Sequence, residues 1–307
     1  MTKEEKYLAR LILKSKFFTA DKQAFEDLFT KIMQNADSNF KQIKPQGKLG
    51  DGKCDGFNNI TGEYYQVYAP EELSGNESVM ISKMDSSIVG LLEFWTEKGF
   101  KVNKFNFVIK DNYKNVYALV YTNAKAIETK FNIKCEVLTC KDIEDLCLKL
   151  EDEKLIDVLD ILIPDPTNIG NIDYGILKEV IDYILNYEVP NSKENIPLNP
   201  NFENKIIFNS LSKVIADFLN AGRRQNYVIS DYFELNSKFI KEELRQIFSN
   251  LYQQLLLEIP DSPSKSDIVF QSIVTKSCPK NIVVFQSAVY ILMSYYFEYC
   301  DIFETPN

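Results

Sequence analysis

Apolar residues recur at helical spacing through residues 4–15 and again through 21–36, where Ala24, Phe25, Leu28, Phe29, Ile32 and Met33 form one stripe. Both stretches predict helices, the second capped by Thr19. Gly and Pro then punctuate residues 45–56. Two short extended segments, about 53–58 and 63–68, flank Asn58-Asn59-Ile60-Thr61-Gly62, a hairpin-like linker. The pattern goes on to predict a helix over 85–98, a strand over 104–110, a helix over 114–130, a strand over 134–139 and a helix over 141–150. Residues 1–150 therefore read as an α/β domain, a small mixed sheet flanked by helices.

Residues 162–173 carry two prolines and a glycine and read as a linker. Beyond it, over 174–307, the pattern is that of an all-α domain, with helices near 174–187, 203–222, 232–258, 266–276 and 281–303. A loop at 188–202 holds Pro190, Pro197 and Pro200. The last helix is rich in Phe, Tyr and Ile, which suits a core, with a partner surface as the alternative.

Composition narrows the chemistry. None of the 307 residues is histidine. Ser-His-Asp and Cys-His nucleophiles, His-ligated zinc and proximal-His haem are excluded. The formal charge of −9 is unevenly spread. Residues 1–140 hold 20 Lys and Arg against 18 Asp and Glu, and residues 141–307 hold 15 against 26. The N-terminal half can therefore approach an anionic polymer. The six cysteines, at 54, 135, 140, 147, 278 and 300, form no CxxC pair, so zinc is not expected. No secretory signal and no membrane-length apolar run is visible, so a cytoplasmic protein with reduced thiols is expected. Asn59-Ile-Thr61 and Asn76-Glu-Ser78 then match the glycosylation pattern by chance.

The densest chemical signal is GKLGDGKCDGFNNITGEYYQVYAPEE, residues 47–72. If extended throughout, the first strand projects Asp51, Lys53 and Asp55 to one face, and the next projects Tyr64, Gln66 and Tyr68 together. Antiparallel pairing gathers carboxylate, ammonium, amide and phenol, with Gly50, Gly52 and Gly56 thinning the backbone for a ligand. Such a cluster suits Mg²⁺ or Mn²⁺, which takes hard oxygen ligands from one or two carboxylates plus water and phosphate. The plain alternative is a glycine-rich hairpin with solvated charges. Gly47–Cys54 nearly spells a P-loop, but Cys54 stands where a hydroxyl must hold Mg²⁺, and the segment that follows is strand-like.

A helix carrying Phe25-Glu26, then GDGxxDG, then a hairpin into a strand with Gln-Val-Tyr, resembles the PD-(D/E)XK nuclease superfamily, specifically its restriction-endonuclease-like branch with GDGGxDG and Gln-x-Lys. The resemblance implies metal-dependent DNA cleavage. Glu26 falls on the helical acidic position, Asp55 on the central metal-binding Asp and Gln66 on the second metal ligand. The final lysine falls on Tyr68, a departure for which Lys53 is the candidate replacement, with Asp51 a further ligand or a turn former. More narrowly, GDGKCDGF…TGEYYQVYAPEE with a C-terminus ending YYFEYCDIF resembles nuclease subunits of three-component anti-phage systems of the Lamassu type. That resemblance implies an SMC-like ATPase and a small accessory subunit as partners, docking through the helical domain, self-association on activation and double-stranded DNA as substrate. The alternative reading is a non-cleaving nuclease-fold adaptor, and a phosphate-binding NTPase is a third.

Overall fold

The computed structural model describes residues 1–44, 52–70, 77–160, 163–187, 201–236, 238–299 and 302–306. They divide into a unit of Thr19–Val158 and a second unit joining Met1–Phe18 to Leu159–Asn307. This differs from the division expected near residue 150. The first helix, α1 (Lys3–Thr19), packs with the helical unit. Its Leu8, Leu11, Ile12 and Phe17 are buried. The Tyr7 hydroxyl donates to Asp267 at 2.5 Å and the Ser272 hydroxyl to Ser15 at 2.8 Å. Helical periodicity shows that a helix has an apolar face but not which core receives it.

In the first unit, α2 (Lys22–Ala36) starts at Asp21, whose carboxylate accepts from the Ala24 N–H at 2.8 Å. The cap is not Thr19, because Thr19 still closes α1. Asp21→Ala is expected to cost about 1 kcal/mol in chemical denaturation. A change within about 0.3 kcal/mol would show the cap to be idle.

Three strands follow, β1 (Phe40–Gln42), β2 (Gly56–Asn58) and β3 (Glu63–Tyr68), then α3 (Glu77–Glu97), β4 (Lys104–Ile109), α4 (Ala118–Phe131), β5 (Lys134–Leu138), α5 (Cys140–Cys147) and α6 (Asp152–Leu159). The sheet has five strands in the order β1-β2-β3-β4-β5. The first three pair antiparallel and the last three parallel. Tight turning joins β2 to β3: the Asn58 side chain accepts from the N–H groups of Ile60 at 2.9 Å and Thr61 at 3.2 Å. Gly62 closes the turn at φ +71°, where an added Cβ would stand 2.8 Å from the Lys101 carbonyl.

Parallel β3-α3-β4 and β4-α4-β5 crossovers of one hand set both helices on one face of the sheet. There Met84, Ile88 and Leu91 of α3 and Val120 and Ile127 of α4 share a core with Tyr64, Phe105, Phe107 and Ile109. By strand alternation Tyr65 projects to the other face, where its ring and that of Phe40 meet Phe29 of α2 at 5.8 and 6.3 Å. The mixed α/β organisation read from the sequence is thus observed, with β1 as an added edge strand.

The second unit adds α7 (Tyr174–Leu185), α8 (Phe202–Phe208), α9 (Lys213–Arg223), α10 (Asn226–Leu235), α11 (Lys238–Glu258), α12 (Lys265–Ser277) and α13 (Val283–Glu298) to α1. The single helix expected over 203–222 is two, broken where Ser210 takes φ +53° and Ser212 caps α9. Likewise 232–258 lies in two helices, α10 ending at Leu235. Most of the loop expected at 188–202 lies outside the described residues.

Helix α13 is buried on nearly every side and forms the centre of this unit, so its aromatic wealth is core. Gly222 of α9 lets the helices approach closely, since an added Cβ would stand 2.8 Å from Ser294 Cβ and 2.9 Å from the Tyr290 carbonyl. Phe218 stacks on Tyr290 with centroids 4.2 Å apart. The segment expected as a linker is held in place where it is described. Asp165 caps a short 3-10 turn, and Gln225 donates to the Gly170 carbonyl at 2.6 Å while accepting from the Ile172 N–H at 3.0 Å. Among the described residues, no helix is long and apolar enough to cross a membrane.

Candidate functional site

Asp55 stands where the chain enters β2. Its N–H donates to the Tyr65 carbonyl at 2.8 Å, and its own carbonyl accepts from Ile43 at 3.0 Å. The β2–β3 register, extended by one pair, sets Asp55 across from Gln66. Antiparallel partners on one face bring their side chains together. The Asp55 Oδ2 accepts from Gln66 Nε2 at 2.7 Å and from the Val67 N–H at 2.5 Å. The second bond has a local cause. The chain turns away from β3 at Gly52 and Lys53, with φ +66° and +64°, and the carboxylate takes a backbone donor that a continued strand would have paired. Both side chains are buried, Asp55 at 7% exposure and Gln66 at 5%.

The glycine-rich approach is a close-packed turn. The Trp95 indole N–H donates to the Gly52 carbonyl at 3.0 Å, and a Cβ on Gly52 would lie 2.8 Å from the Phe94 ring. Lys53 is therefore not on an extended strand beside Asp55, as alternation predicted. It is an exposed turn residue whose stem lies along Gly90 of α3, close enough that a Cβ there would sit 2.8 Å from Lys53 Cγ. Glu26 is half-buried on α2, one turn beyond Lys22 and Gln23. Asp51, with Gly47 and Gly50, lies outside the described residues. Tyr68 ends β3 and stacks on Phe107 with centroids 5.7 Å apart. Burial raises the Tyr68 hydroxyl pKa, partly offset by the Lys22 ammonium. Cys54 leads into β2, not into a helix, so the helix that must follow a P-loop is missing.

Sequence reasoning missed Lys110. It follows β4, and its N–H donates to the Tyr68 carbonyl at 3.0 Å. The side chain is only 7% exposed, and its ammonium donates to the Ala20 carbonyl just before α2. With Ala20, Asp21, Lys22, Gln23, Ala69 and Pro70 it lines an open cleft of about 440 Å³. The sequence shows Lys110 only as the polar end of an apolar strand; the β3–β4 register is what brings it beside Tyr68.

Metal coordination in this unit would start from Asp55 and Gln66. Among the described residues, no three His, Cys, Asp or Glu side chains gather as a cluster able to hold a metal. The thiols do not offer one. Burial pushes Cys135 and Cys147 up to about 12 and Cys278 up to about 11. Cys140 rises further, by burial and by the neighbouring Asp111 carboxylate. Cys54 is also fully buried. A thiol reagent at neutral pH is expected to leave these five cysteines unlabelled until the protein is denatured. Rapid native labelling of any of them, located by peptide mapping, would contradict this packing.

Residues 176–304 match the family model of C-terminal domain 10 of the ABC-three component (ABC-3C) systems. The match runs from within α7 past the end of α13, and it supports a component of a defence-related, multi-component system. No curated protein and no solved structure matches the chain.

Proposed function

We propose that the chain is a metal-dependent DNA endonuclease serving as effector of such a system. In this reading the Thr19–Val158 unit cuts and the helical unit docks onto partner subunits, in an arrangement of the Lamassu type with an SMC-like ATPase and an accessory subunit. The observation that carries the nuclease reading is the buried Asp55–Gln66 pair, held at the β2–β3 junction of a sheet whose elements run helix, three strands, helix, strand. That order agrees with the restriction-endonuclease-like resemblance of the sequence.

The donor set fits Mg²⁺. Asp55 brings one carboxylate, and Gln66 brings an amide whose Nε2 lies 2.7 Å from it. Octahedral Mg²⁺ with bonds of about 2.1 Å places neighbouring ligand atoms about 3 Å apart. A half-turn of the amide presents Oε1 where Nε2 now stands, giving two oxygens at close to that spacing. A bound divalent cation would polarise a water and offset charge on a phosphodiester oxygen. The chain's own part is to hold the Asp55 carboxylate through two donors and to fix Gln66 beside it, with Glu26 of α2 the further carboxylate that the sequence resemblance implies.

Cleavage of double-stranded DNA with Mg²⁺ or Mn²⁺, by wild type against Asp55→Ala, tests the reading. The assay uses the activated or oligomeric form, because partners hold the resting enzyme in check under this proposal. Equal cleavage by the two proteins overturns it. Tyr68 in place of the pattern's lysine, with Lys53 turned onto α3, favours a second reading as a non-cleaving adaptor. Calorimetry separates the two: Asp55-dependent binding of Mn²⁺ belongs to the nuclease, and its absence to the adaptor.

A further inference from the structure

The chain passes between its two units twice, at Phe18–Thr19 and at Val158–Leu159, so the Thr19–Val158 unit is an insertion within the helical one. Both crossings fall at helix ends. Thr19 is the last residue of α1, and only Ala20 and Asp21 separate it from α2. Neither of the two is slack: the Lys110 ammonium donates to the Ala20 carbonyl, and the Asp21 carboxylate caps α2. At the second crossing α6 ends at Leu159, and Asp160 turns the chain with φ +56°. Asp157, in the last turn of α6, accepts from the Asn35 amide at 3.0 Å and lies 3.8 Å from the Lys31 ammonium. Entry and exit are thus tied to the two ends of one helix. Lys22 and Asn35 stand about 20 Å apart along α2, at about 1.5 Å of rise per residue.

The helical unit shows the same separation from its own side. A cleft of about 250 Å³ sets Pro164 and Pro166 beside Thr2, Glu5 and Leu8 at the start of α1, while the first crossing lies at the far end of that helix. A unit held by one tether swivels freely. One held at two points a helix length apart turns only about the line through them, and within the inserted unit that line runs along α2. The same helix carries Glu26, half-buried, and packs Phe29 on Phe40 and Tyr65 of the sheet. We propose that α2 is the element through which docking of the helical unit controls the site, by moving Glu26 relative to Asp55 and Gln66. This role rests on the proposed function for its site and its docking; the double crossing does not. A change in the helical unit reaches the inserted one first at Thr19 and Val158, and a rigid helix tied near both points carries it inward.

The first test uses the full chain without DNA, metal or partner. A Gly-Ser stretch carrying a specific protease site is inserted between Thr19 and Ala20, and hydrogen exchange is read by peptide before and after cutting. Cut protein is expected to keep Met1–Thr19 bound through size exclusion, held by Leu8, Leu11, Ile12 and Phe17. Amides in the first turns of α2 are expected to exchange about tenfold faster, with those of β3 and β4 unchanged. Release of the Met1–Thr19 segment removes the double crossing, and unchanged α2 exchange removes the transmission. A like insertion after Asp160 slackens the other end and reports even if the first disturbs α1. Control is then read in the complex with partner subunits. The uncut insertion variant is expected to assemble as wild type does and to cleave DNA roughly tenfold or more faster in the resting complex, because slack at one end uncouples α2. A resting complex as silent as that of wild type, while the activated form cleaves, overturns control through α2. If α2 responds to the cut while Asp55→Ala cleaves like wild type, the double tether stands and the nuclease reading falls.

Discussion

Asp55→Asn is expected to abolish Mg²⁺-dependent cleavage, by about 100-fold or more, while leaving the fold in place. The substitution keeps size and shape. Its carbonyl oxygen, in the place of Oδ2, can still accept from both the Val67 N–H and Gln66 Nε2, which that one oxygen now takes at 2.5 and 2.7 Å. The fold therefore loses the charge on one hydrogen-bonded pair, about 1–2 kcal/mol. Chemistry loses more, because a hard divalent cation gives up its anionic ligand for a neutral amide.

The converse change, Gln66→Glu, supplies a readout that does not depend on activity. It sets a second carboxylate about as close to Asp55 as the amide nitrogen stands now, 2.7 Å. Two carboxylates sharing such a site cannot both ionise freely, and one is held protonated above its ordinary range. A group whose folded pKa is raised stabilises below its unfolded pKa, and that stability is lost as pH rises through the folded pKa. Gln66→Glu should therefore lose stability relative to wild type between about pH 4 and 7 without metal, and regain it when Mn²⁺ is added. Full cleavage by Asp55→Asn, or a Gln66→Glu protein indifferent to both pH and Mn²⁺, would remove Asp55 and Gln66 from the metal site.

What the sequence makes legible follows from the range of the forces involved. Periodicity is a local signal, and it located α2, β3, β4, α4 and β5 to within a few residues at their ends. Strand alternation placed Gln66 and Tyr68 on one face, and antiparallel pairing brought Asp55 to Gln66. Lys53 fails the same argument because alternation holds only while φ stays extended. Gly52 and Lys53 take left-handed backbone, and the side chain leaves the row. Charge alternation could not find Lys110 either, since its meaning comes from the parallel register that pairs Tyr68 with Ile109. Similarly, α1 carries an ordinary amphipathic pattern, and only the long-range bonds of Tyr7 and Ser15 assign it to the helical unit. Breaks such as the one at Ser210 hide in sequences that remain apolar on both sides. In each case the missing information is a contact between distant residues, which no window of sequence contains.

In the helical unit the largest effect on stability is expected from Lys205→Met. Lys205 of α8 is 1% exposed, and its ammonium donates to the Phe297 carbonyl at 3.0 Å and to the Ile302 carbonyl at 2.6 Å. The Phe297 ring lies 4.6 Å from the same nitrogen. Phe297 stands in the last turn of α13, where carbonyls lack helical partners, and Ile302 belongs to the tail beyond it. Lys205 therefore ties the end of the central helix and the tail to α8. Asn209, one turn on, repeats the tie, donating to the Glu304 carbonyl at 2.7 Å and accepting from its N–H at 2.9 Å. Methionine fills much of the same volume, so the loss is electrostatic: the ammonium is gone and buried carbonyls are left without their donor. Such a loss costs about 2–4 kcal/mol, or roughly 5–12 °C in the melting of a unit this size. Under the proposed function, in which the helical unit docks onto partner subunits, the damage should appear as loss of docking while the proposed Asp55-dependent metal binding survives in the other unit. Calorimetry of the full chain reads the first effect, and Asp55-dependent Mn²⁺ binding the second. A Lys205→Met protein within about 0.5 kcal/mol of wild type would mean that the tail is held by Asn209 and apolar packing alone.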